Sequence, residues 1–132
     1  MAARNLSPVR TLVRELVPIA GSFAPNGSFA VSASSRKGLG WSVARTSKNV
    51  FTITFTDKWA DLVSAQAHLQ LASTAVNIAQ VGTYDATAKT LVISLVDATT
   101  GNIAATDVAA NANNRVSFVC WFRNSAALPV RG

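Results

Sequence analysis

A chain of 132 residues is one domain by length, and at this size it buries enough surface to fold without disulfides or metal. Apolar residues make up 49% and charged residues only 14%, against an ordinary ~25%, which excludes intrinsic disorder over most of the chain. One Cys and one His exclude an intrachain disulfide and a Cys/His zinc cage, and no apolar run reaches the ~18 residues of a membrane span.

The net charge of +6 is unevenly spread. Residues 1–48 carry Arg4, Arg10, Arg14, Arg36, Lys37, Arg45 and Lys48 against Glu15 alone. The remaining residues carry equal numbers of basic and acidic side chains. A neutral body with a basic leading segment points to an arm that meets an acidic protein surface or nucleic acid.

In chain order, residues 1–15 form that basic arm. Ser7-Pro8 fits an N-cap followed by Pro at the first helical position. Val9, Leu12, Val13, Leu16 and Val17 then follow at helical spacing, with Arg10 and Arg14 on another face. A short helix and an arm without regular structure both remain open, and the composition is also that of a transit peptide. Arg10, Arg14 and Glu15 interrupt the early apolar residues, so no secretory signal is expected and a cytoplasmic site of synthesis fits best.

From Leu16 the period changes to two. Val17, Ile19, Gly21 and Phe23 predict a strand, with Pro18 on an edge. Pro25-Asn26-Gly27 is a turn. Phe29, Val31 and Ala33 predict a weak second strand. Residues 40–45 and 50–56 predict a hairpin across Ser47-Lys48-Asn49, with Phe51, Ile53 and Phe55 inward and the intervening Thr residues outward. Asp57 to Asp61 is a polar corner holding Trp59. Strands are further expected over 63–71, 78–84, 91–96 and 116–122, with 103–114 irregular and 126–132 a loose tail. About eight short strands with turn signals every 8–12 residues predict an all-β, single antiparallel β-sandwich over residues 16–125.

The chemistry-bearing residues are few. His68 lies between Gln66 and Gln70 on the polar face of a strand, which suits a hydrogen-bonded surface histidine better than a general base. Cys120 lies between Phe118 and Phe122, where a thiol behaves as a small hydrophobe. Gly38-Leu39-Gly40 lacks the Lys-Ser/Thr of a phosphate loop and reads as a sharp entry to a strand. Trp59 is either a partner contact or a plug at the end of the sandwich. Arg36 and Lys37 before Trp41, and Arg115 and Arg123 around Trp121, admit nucleic-acid binding as a lesser alternative. No enzymatic activity, cofactor or metal is expected.

The run Gly38 to Thr46, followed by Val50 to Trp59, resembles small virion proteins of tailed bacteriophages. Their strand "G-x-x-V-x-R" leads through a turn to "G-x-Y-T-V-x-F-x-D-K-Y". Here Asn49 takes the Gly position, Phe51 the first Tyr position and Trp59 the second. Ala109 to Phe118, ending in Phe122-Arg123-Asn124, looks like their closing strand. The resemblance spans about residues 12–125 and carries over no functional residue. It implies a jelly-roll-like β-sandwich that decorates or cements the capsid exterior of a virion as a dimer or trimer, with the major capsid protein as partner. Arg4, Arg10, Arg14, Arg36, Lys37 and Trp59 are then the candidate capsid-binding residues. A tail- or fibre-associated module for host attachment is the alternative within the same resemblance.

Overall fold

The computed structural model describes residues 16–123. They form seven antiparallel strands: β1 Leu16–Phe23, β2 Trp41–Ser47, β3 Val50–Phe55, β4 Asp61–Gln70, β5 Asn77–Asp85, β6 Thr90–Asp97 and β7 Arg115–Arg123. The strands lie in two sheets, of order β1-β7-β4 and β2-β3-β6-β5. The fold is therefore an all-β sandwich, as the turn spacing predicts.

Alternation drives each strand. On β3, Phe51, Ile53 and Phe55 are buried and Thr54 is exposed. On β7, Val116, Phe118, Cys120 and Phe122 are buried, while Ser117 and Val119 are exposed. The inner faces interdigitate through aromatic rings. Phe23 of β1 packs 5.1 Å from Phe51 of β3. Trp41 of β2 meets Phe118 of β7 edge-on at 4.9 Å. Phe55 of β3 meets Phe122 of β7 at 4.8 Å. Each such fully buried side chain contributes roughly 1.5–3 kcal/mol, and edge-to-face pairs add about 0.5–1.5 kcal/mol.

One inward position must be glycine. Gly21 stands opposite Phe118, and a Cβ there would lie 2.3 Å from Cζ2 of Trp41. The indole occupies the space that the missing side chain leaves.

The β2–β3 hairpin forms as predicted, with Trp41 opposite Phe55 and Val43 opposite Ile53. Its turn places Asn49 at φ 55°, the left-handed region that suits Gly and Asn. The Asn49 side chain is fully buried. Its Nδ2 donates to the carbonyls of Ala104 (2.9 Å) and Thr106 (2.8 Å), and its Oδ1 accepts from the Val108 amide (3.3 Å). Beside it, Asp107 accepts from Arg45 at 3.0 Å and from the Asn49 amide at 3.2 Å. These contacts fasten the irregular segment between β6 and β7 onto the hairpin.

The strand predicted at Phe29–Ala33 is absent. That segment is a loop ending in a short 3₁₀ turn, Ala33–Ser35. Phe29 is 72% exposed, and Val31 alone packs against the core. The serines there bond locally: Ser35 Oγ donates to the Ser32 carbonyl and accepts from the Ala24 amide. Local side-chain bonding of this kind competes with a strand ladder.

Candidate interaction surface

The loop between β1 and β2 carries two of the predicted site residues, Arg36 and Lys37, both exposed. Lys37 is bound to the edge of β1 by two backbone hydrogen bonds with Ser22, of 2.7 and 2.9 Å. Arg36 lies with its guanidinium 5.5 Å over the Trp41 ring and donates to the Trp41 carbonyl at 2.6 Å. Stacking and hydrogen bonding together hold the side chain in one direction. Gly38 permits the close approach: its φ is 116°, and a Cβ there would meet the Ala20 carbonyl oxygen at 2.6 Å.

Arg115 fixes the same loop from below. Its guanidinium donates to Ser22 Oγ at 3.0 Å and to the Ser35 carbonyl at 2.6 Å. Lys89 borders the other side of an open pocket of ≈ 470 Å³ that Arg36, Leu39, Thr54 and Thr56 also line. Lys89 has a φ of 63° at the end of the β5–β6 turn, and its ammonium lies 3.4 Å from the Thr56 carbonyl. Lys89 stands apart from the basic residues 36 and 37 in sequence. Its signal was the Asp85-to-Lys89 turn, which brings it beside a loop some fifty residues earlier only once β3 and β6 pair.

The remaining candidates separate. Trp59 stacks on Phe122 with centroids 5.7 Å apart and planes at 19°, and packs against the core. The ring is half-buried. Arg4, Arg10 and Arg14 lie outside the described residues, as do the expected helix or arm and the tail 126–132. The described residues begin with β1 at Leu16, which pairs with Arg123.

Cys120 is fully buried, and burial pushes its thiol up to about 12. Tyr84 is also raised, by burial first and then by the charges of Asp61 and Asp85 and by Cys120. His68 lies on the outer face of β4 opposite Ser117. Among the described residues, no three His, Cys, Asp or Glu side chains gather to hold a metal ion, and no helix is long and apolar enough to cross a membrane.

On β7, Arg115, Ser117, Val119, Trp121 and Arg123 share the face turned away from the core. Trp121 stands opposite Pro18 on one side and Ser64 on the other. Arg115 and Arg123 are half-buried on this face, and Arg115 is held by Ser22 and Ser35. Comparison with protein-family models, with curated proteins and with solved structures returned no match.

Proposed function

We propose that the protein is a non-enzymatic structural component of a phage virion that binds the capsid exterior and reinforces it as a small homo-oligomer. The observation that carries this reading is the separation of charge: all excess positive charge lies in residues 1–48, and the rest of the chain is neutral. Two further facts support it. Lys37, one of the basic residues of this segment, is bonded to β1, which lies at an edge of the three-stranded sheet. The resemblance at Gly38–Thr46 and Val50–Trp59 points to the same class. A basic edge lying across acidic capsid subunits would bridge neighbours, and many copies on one shell would turn weak contacts into high avidity.

The test is sedimentation of the purified protein with empty heads. We expect co-sedimentation, weakened by deletion of residues 1–15 and by Arg36→Glu with Lys37→Glu. Absence from heads under all conditions overturns the reading, and association with tails instead would assign the host-attachment alternative.

One observation favours a second reading, nucleic-acid binding: Trp121 sits on an outward face between Arg115 and Arg123. It predicts affinity for single-stranded DNA or RNA that falls steeply with salt. No binding at low ionic strength removes it.

A further inference from the structure

We propose that two copies of this chain meet through the outer face of the four-stranded sheet. The inference deepens the homo-oligomer part of the proposed function by naming its surface.

The face is set by strand register. Ala44, Thr52 and Val92 form one cross-strand row, and Ile78, Val96 and Ile103 form another. Between these rows runs a third, Ser47, Val50, Ser94 and Gln80, which carries no charge. One carboxylate belongs to the outward rows: Asp85, at the end of β5 opposite Thr90. It is turned onto the amides of Thr87 and Ala88 at the rim. An ordinary soluble surface is ~25–35% charged. The face instead presents β-branched and hydroxyl groups, with Ile78 51% and Ile103 42% exposed. Val76, 56% exposed, adjoins them through the Ala98–Val76 hydrogen bond.

Charge selects the occupant. A chain of net charge +6 repels a copy of itself, so a self-contact forms where no cation must be desolvated against another. The outer face of the three-stranded sheet fails this condition, because Arg115 and Arg123 both stand on it. The four-stranded face meets it. Its charged neighbours lie at its two ends, Arg36, Lys89 and Asp85 at one and Lys48 and Asp97 at the other, as a polar rim does around an uncharged interface centre.

Area sets the strength. Four strands at ~4.8 Å spacing and about seven residues of length give roughly 450 Å² in projection. That is of the order of half the ~800 Å² per partner of a standard interface, which marks a reversible dimer rather than an obligate one. A two-fold axis through the face would oppose the same rows on both copies, with the sheets ~10 Å apart.

Analytical ultracentrifugation of the purified chain, from about 1 µM to about 1 mM, tests this over the affinity range expected of a small interface. We expect the average mass to rise toward that of a dimer. Ile78→Lys and Thr54→Lys, both at exposed positions, should each hold the chain monomeric with an unchanged circular dichroism spectrum. Val119→Lys, on the other sheet, should leave association intact. A monomer across the whole range, or a dimer indifferent to Ile78→Lys and Thr54→Lys, overturns the proposal. Heads play no part in this measurement, so its failure would leave capsid binding standing.

Discussion

Gly21 and Asn49 show how single positions are fixed by packing rather than by propensity. The Gly21→Ala substitution would force its Cβ into the Trp41 ring, at 2.3 Å from Cζ2. Overpacking of this kind costs typically 1–3 kcal/mol, and the short distance places this change near about 3 kcal/mol. Urea unfolding should show that loss, and Trp41→Leu in the same chain should lower the additional cost in a double-mutant cycle. Asn49→Ala removes three side-chain hydrogen bonds and puts Ala at φ 55°. A loss of roughly 3 kcal/mol is expected. Asn49→Gly loses the same bonds without the backbone penalty, so it should be the milder change by about 1 kcal/mol. Equal losses would mean that φ is not part of the selection. Cys120 is held as the neutral thiol, raised from 9.0 to about 12 by burial. The raised value gives stability that is present below the unfolded pKa and is lost as pH rises toward the folded one. Alkylation at pH 8 should therefore be negligible in the native protein and complete in denaturant. The urea midpoint should fall above pH 9 in the wild type and stay flatter in Cys120→Ala.

At the scale of elements, the hairpins were legible because their information is local. The alternation Phe51, Ile53, Phe55 and the short turn at Asn49 suffice to pair β2 with β3. Phe29, Val31 and Ala33 alternate as well, yet they form a loop. Alternation there competes with four serines and a Pro-Asn-Gly turn, and nothing in the local sequence says which wins. Phe29→Ser should therefore change stability by less than about 0.5 kcal/mol, as surface changes do. A loss of several kcal/mol would restore the strand. The contacts of Asn49 and Arg45 with Asp107 were illegible for the opposite reason. They join residues 58 and 62 positions apart, in a segment whose Ala- and Asn-rich sequence has no period. The same holds for the candidate surface. Arg36 and Lys37 could be named from charge, but the anchoring of their loop by Arg115 arises only when β7 lies beside β1.

The whole molecule divides its surface by charge. On the proposed reading, contacts through the basic residues and through the uncharged outer sheet face should respond to salt in opposite ways. Raising ionic strength from about 0.05 M to about 0.5 M shortens the Debye length severalfold, so contacts made by Arg36, Lys37 and the basic arm should weaken. Self-association through the uncharged face should persist or strengthen, since mutual repulsion of like-charged copies is screened. Head binding and dimer formation measured at both salt concentrations check the pair. If the two fall together, one surface serves both contacts.

The pairing of β1 with β7 also bears on how the chain is made. β7 is the central strand of the three-stranded sheet, yet it is the last of the described strands to leave the ribosome. Phe23 and its partner Val116 are synthesised far apart. At ~5–20 residues per second, β1 waits roughly 5–20 s for its neighbour. During that interval Val17, Ile19 and Phe23 have no sheet to join, and β4 is equally unpartnered. The four-stranded sheet, complete once β6 emerges, can assemble first. Pro18 then has a use during synthesis: lacking an amide hydrogen, it spoils the waiting strand as a template for other nascent chains.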